Sequence, residues 1–199
     1  MNIKLANNYR GQWVGVKFYK APPNLSHVER LENVRFCEAT RVAACRPVLL
    51  DERSVSCPGA RYIFGWDHDL SGHLMDHCVD KCEIEPYSFT KLISELPRIK
   101  HPFNSIGLNT DKNPDVMLSY LLPQDVMKLI KIYNVHYGKC LELSLCCFMP
   151  ICGCIAVRSY LEEKMTVSFG CEDSRKYAQI AKERVAVGIP GKLINTFLG

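Results

Sequence analysis

The hydrophobic positions of the chain fall into short runs separated by turn residues, with amphipathic stretches between them. Trp13-Val14-Gly15-Val16-Lys17-Phe18-Tyr19 is rich in β-branched and aromatic residues and stops before Ala21-Pro22-Pro23, which predicts a strand closed by a turn. From Phe36 to Cys45, positions Phe36, Ala39, Val42 and Ala43 share one helical face, and Arg46-Pro47 ends that helix. Val48-Leu49-Leu50 reads as a short strand and Asp51 to Ser54 as a turn. Pro58 sits where a helix favours its first residue, and Gly65 closes that short helix. Ser88 to Leu96 reads as an amphipathic helix, and Ile106-Gly107-Leu108 and Val116 to Tyr120 as strands. Pro123 to Tyr137 carries Val126, Leu129, Ile130 and Tyr133 on one side and is closed by Gly138. Met165 to Phe169 alternates as a strand. A helix is expected from Glu172, with acidic residues in its first turn, to about Arg184, and Pro190 opens a last short helix.

Strands mixed with helices predict an α/β fold of mixed α+β type, as a single domain over residues 1–199. Only the stretch from about 66 to 86 breaks the pattern. It is polar and His/Cys-rich and reads as an inserted loop.

At 199 residues and 47% hydrophobic content the chain can bury a core without disulfides. Its formal net charge of +4 comes with no concentrated Lys/Arg run, so nucleic acid is not an expected partner. The apolar window Leu143 to Val157 is shorter than a bilayer span and contains Pro150 and Gly153, which predicts buried core and no membrane segment. Met1 to Asn8 lack the apolar stretch of a secretory signal, so a cytoplasmic location is expected. In that compartment the eleven cysteines are expected to be thiols.

Two segments share one plan. Cys37 starts a helix, a turn and short strand follow, and Cys57 starts the next helix; Cys152 and Cys171 stand at the corresponding places later in the chain. Cys57 and Cys171 each open a Cys-x-x-x-Arg pattern that ends at Arg61 and Arg175. Two pseudo-symmetric halves around a mixed sheet are therefore expected, and pseudo-twofold packing would bring equivalent helix starts together. A helix N-terminus stabilises a thiolate, and four thiolates form the usual ligand set of a [4Fe–4S] or [2Fe–2S] cluster, or of a structural zinc. Arg61 and Arg175, about one turn on, are candidates to balance such a centre or to contact an anionic substrate. Cys45, Cys140, Cys146, Cys147 and Cys154 read better as small buried hydrophobes, although the Cys152-Gly153-Cys154 spacing would let either cysteine reach the site. Tyr62, Trp66 and Tyr177 lie near these helices and could wall a pocket. In the inserted loop, His73 and His77, and Cys78 and Cys82, stand at i, i+4 and form a secondary candidate metal site.

Val34-Arg35-Phe36-Cys37-Glu38-Ala39, Val55-Ser56-Cys57-Pro58-Gly59-Ala60 with Phe64-Gly65, Pro114-Asp115-Val116-Met117, Val167-Ser168-Phe169-Gly170-Cys171 with Arg175, and Gly188-Ile189-Pro190-Gly191 together resemble the prokaryotic family known as domain of unknown function 169. The similarity runs over nearly the whole chain, and the family pattern includes cysteines where Cys37, Cys57, Cys152 and Cys171 stand. The resemblance implies a fold relationship and a setting in anaerobic archaea and bacteria, without a reaction. The chain departs from the family pattern in the His/Cys-rich stretch after Gly65.

No Gly-rich phosphate loop, G-x-S-x-G elbow or H-E-x-x-H occurs. The leading expectation is an iron–sulfur protein that transfers electrons to a redox partner or activates a small anionic substrate, with homo-oligomer formation left open. A thiol oxidoreductase using Cys57 or Cys171 as nucleophile and a non-catalytic zinc module are the alternatives.

Overall fold

Strand β1 (Trp13–Tyr19), as expected from its β-branched and aromatic residues, occupies the centre of a sheet that has seven strands among the described residues, in the order β2-β3-β4-β1-β5-β7-β6. The computed structural model describes residues 13–69 and 84–198. The other strands are β2 (Glu29–Arg30), β3 (Val48–Leu50), β4 (Ser105–Leu108), β5 (Val116–Leu121), β6 (Thr166–Ser168) and β7 (Val185–Pro190). Among the described residues only strands β2 and β3 pair in parallel; the remaining neighbouring strands are antiparallel, so the sheet is mixed.

Outward from the antiparallel β1–β5 pair the order is β4 then β3 on one side, and β7 then β6 on the other. Strands β1, β3 and β4 thus have the same connectivity as β5, β6 and β7. Helix α1 (Phe36–Ala43) precedes β3 and α2 (Pro58–Ile63) follows it. On the other side a π-helix (Pro150–Val157) precedes β6, and α6 (Glu172–Tyr177) follows it. The remaining helices are α3 (Pro86–Ser94), α4 (Pro123–Tyr137), α5 (Arg158–Glu162) and α7 (Ile194–Leu198), the last entered through a 3₁₀ turn at Gly191–Leu193.

The period-2 alternation of the strands divides the core between two sheet faces. Val14, Val16 and Phe18 of β1 and Val116 and Leu118 of β5 pack with Phe36, Phe64, Phe89 and Ile155 on the face that carries α1, α2, α3 and the π-helix. Val185, Val187 and Ile189 of β7 and Leu121 of β5 face the other way, onto Val126, Leu129 and Tyr133 of α4 and Phe197 of α7. Lys17 and the Phe18 amide bind the Asp115 carboxylate at 3.0 and 2.8 Å, which fixes the turn between β4 and β5 against the central strand.

Several boundaries differ from the sequence expectation. Helix α6 stops at Tyr177 instead of running to about Arg184, because Gln179 takes a left-handed φ of 54° and the Ile180 amide returns to the Arg175 carbonyl. Residues Val185–Pro190 then form β7, a strand buried on both faces whose continuous apolar run lacks alternation. Leu143 to Val157 is core only in its second part: Ile151 to Val157 are buried, whereas Leu143 and Leu145 are exposed. Among the described residues no helix is long and apolar enough to cross a membrane.

Candidate cysteine site

Each of the four cysteines of the sequence repeat stands in the first turn of a helix. Cys37 is the second residue of α1, Cys57 is the N-cap of α2, Cys152 is the third residue of the π-helix, and Cys171 is the N-cap of α6. First-turn amides have no intrahelical acceptor, and at α6 a sulfur serves instead. There the Ser174 amide donates to the Cys171 sulfur at 3.3 Å and the Cys171 amide donates back to the Ser174 hydroxyl at 2.8 Å, forming a capping box with a thiol in it. The amides of Glu38, of Gly59 and Ala60, and of Gly153 act in the same sense on Cys37, Cys57 and Cys152, each pulling its thiol toward ionisation.

Cys152 lies within electrostatic reach of the other three cysteines, and Cys37 within reach of Cys57 and Cys171. Burial first, and then the charges of Cys57 and Cys171, push the Cys37 thiol up to about 12. Cys152 is raised by burial and then by Cys57, Cys37 and Cys171. Burial likewise raises Cys57, against the amides and the Arg35 guanidinium. Among the described residues, however, no three His, Cys, Asp or Glu side chains stand close enough together to hold a single metal ion. The elements that assemble this quartet pack directly: α1 against α6 and the π-helix, and α2 against the π-helix. Gly59 makes the last contact possible, since a Cβ at that position would lie 2.7 Å from Met149 Cγ.

Two residues at this site were not among the candidates that the sequence singled out. Arg35, the N-cap of α1, binds the Asp173 carboxylate at 2.7 Å and lies over the Tyr177 ring at 4.2 Å, tying the start of α1 to α6. It is also the cation whose charge reaches Cys37 and Cys57. Tyr120 projects from β5 on the parity of Leu118, toward the larger core; its hydroxyl pairs with Thr40 Oγ1 at 2.9 Å, and Thr40 donates to the Cys37 carbonyl at 2.6 Å. Burial raises the Tyr120 phenol, and the charges of Cys37, Cys171 and Cys152 add to the effect. A tyrosine on the buried parity of a central strand needs a polar partner, and that was the signal available in the sequence.

The other candidates are placed as follows. Arg61 binds Asp67 at 2.7 and 2.8 Å and donates to the Glu52 carbonyl, and Arg175 donates to the carbonyls of Phe169, Ala181 and Arg184; both guanidinium groups are engaged within the chain. Cys154 is buried and senses Cys146 and Arg158 rather than the quartet. Cys45, Cys140 and Cys147 are exposed, contrary to their reading as buried hydrophobes, because they fall in the segments after α1 and α4 rather than on a packed face. Tyr62 stacks on Arg98, and Trp66 is core, donating to the Phe103 carbonyl at 2.9 Å. His73, His77, Cys78 and Cys82 lie outside the described residues.

A family model described as DUF169, uncharacterised ArCR, matches residues 3–198. No curated protein and no solved structure is significantly similar to the chain.

Proposed function

The chain belongs to the uncharacterised DUF169 family, and on that premise we propose that Cys37, Cys57, Cys152 and Cys171 together hold one iron–sulfur cluster, of the [4Fe–4S] type, in a protein that transfers electrons or activates a small substrate. The supporting observation is the placement of four cysteines at helix starts, one per helix, with Cys152 sensing the charges of the other three and Cys37 those of Cys57 and Cys171. As free thiols Cys37, Cys57 and Cys152 are held neutral by burial, and neighbouring cysteine charge adds to the effect at Cys37 and Cys152. A cationic centre among them offsets both effects, and backbone N–H···S bonds are a recognised means of tuning such a centre.

Four cysteine thiolates are the usual ligand set of such a cluster. When bound, the cluster supplies one-electron chemistry. Arg35, pinned by Asp173 and Tyr177, sets a fixed positive charge beside Cys37 and Cys57. Tyr120 and Thr40 hold the first turn of α1 through the Cys37 carbonyl.

A thiol-redox reading rests on Cys171, whose sulfur accepts the Ser174 amide. Burial works against Cys57 as its nucleophile. Protein purified without oxygen separates the readings: about four iron and four sulfide per chain are expected, reduced sharply in Cys57→Ser and Cys171→Ser. Iron-free protein with full secondary structure would overturn the cluster. Zinc at one per chain would assign a structural ion, and one thiol alkylating far faster than the rest would assign thiol chemistry.

A further inference from the structure

Away from the four sulfurs, a cavity of about 420 Å³ opens between α3 and the segment before the π-helix, with Arg158 in its wall. That volume lies in the range of small-molecule sites. Leu92, Leu96 and Leu145 give it an apolar lining, and Ser88 and Ser144 add hydroxyls. Lys91 lines it as a second cation.

Arg158 is the unusual component. It is 8% exposed, and its Nε is buried without a hydrogen-bond partner. Its Nη2 donates to the Glu95 carbonyl over a long 3.3 Å, while the Glu162 carboxylate stands 3.7 Å from Nη1 and is drawn to Lys164 at 2.6 Å. A guanidinium on the cavity wall held by one long hydrogen bond and one distant carboxylate is an incompletely paired charge, and an anionic acceptor beside it is favourable. With Glu95 and Glu162 beside the two cavity cations and Lys164, the surroundings suit one negative charge better than two.

We infer that this cavity binds a small monocarboxylate with a short aliphatic body, its carboxylate on Arg158 and its chain against Leu92, Leu96 and Leu145. The inference stands whether or not the quartet carries a cluster. Cys146 also lines the cavity, and its thiol senses both Arg158 and Cys171.

Calorimetric titration of the full chain with hexanoate tests it, with 1-hexanol and inorganic phosphate as comparison ligands. Hexanoate is expected to bind saturably and the other two weakly or not at all. Arg158→Gln should weaken hexanoate about tenfold or more, the scale of a lost charge-assisted hydrogen bond. Because that residue is buried, Ser144→Trp at an exposed lining position is the second variant; it should abolish binding by filling the cavity while leaving the folded spectrum unchanged. Hexanol or phosphate binding as tightly as hexanoate, absence of saturable hexanoate binding, or undiminished binding in Ser144→Trp would each overturn the assignment. Iron and sulfide content of the same preparation reports separately on the quartet.

Discussion

Cys37 illustrates how burial and neighbouring charge combine on one atom. Its thiol is raised from an ordinary 9.0 to about 12, first by burial and then by Cys57 and Cys171. In metal-free protein the folded state therefore keeps its proton where the unfolded state has lost it. Stability from this group is fully present below pH 9 and falls as pH rises from 9 toward 12, because over that window the unfolded chain binds fewer protons. At pH 10 the loss is about 1.4 kcal/mol for this thiol alone. Denaturant titrations of metal-free protein at pH 8 and pH 10 should show the lower midpoint at pH 10, and Cys37→Ala should flatten that difference. At pH 8 the exposed Cys45, Cys140 and Cys147 should alkylate well before Cys37. The residue-scale pattern was partly legible, since four helix-start cysteines follow from the repeat. Arg35 was not, because an N-cap one residue before a helix belongs to no periodic pattern and its partner Asp173 is 138 positions away.

At the scale of elements, the contact between α2 and the π-helix governs the distance between Cys57 and Cys152. Gly59 lets Met149 approach, and any larger residue there meets Met149 Cγ and Sδ. Gly59→Val is expected to destabilise the protein by about 1–3 kcal/mol, the usual cost of overpacking. Met149→Ala should recover part of that loss in the double variant, and a thermal or denaturant cycle over the four proteins measures the coupling. If the two substitutions add without coupling, the close approach is not what constrains Gly59. The π-helix itself could not be read from sequence: all of Pro150 to Val157 is buried, so no polar face marks a period. Strand β7 was missed for the same reason, its six buried residues being interrupted by Gly188 and ended by Pro190, both of which signal turns. The strands β1, β3 and β5 and the helix α4 were legible because each carries its own punctuation, such as Pro47 before β3 and Gly138 after α4.

On the scale of the whole molecule, neither run of strands is self-sufficient. β1 has β5 as one neighbour, and the larger core mixes Phe18 and Phe64 from the first part of the chain with Ile151 and Ile155 from the second. Arg35 and Asp173 add an ion pair between the two parts. A break between Asp111 and Lys112, in the exposed turn before β5, should therefore give fragments that are unfolded apart and assemble when co-expressed. Amide dispersion in NMR spectra of each fragment and of the mixture checks this, and a well-dispersed spectrum from either fragment alone would refute it.

The two outermost strands are brief, β2 spanning Glu29–Arg30 and β6 spanning Thr166–Ser168. A margin of two or three residues offers a foreign chain little main-chain template, which is how many natural proteins resist edge-to-edge aggregation. A protein that docks here is thus left to grip projecting groups such as Phe169, which is largely solvent-facing just beyond β6 and two positions before Cys171.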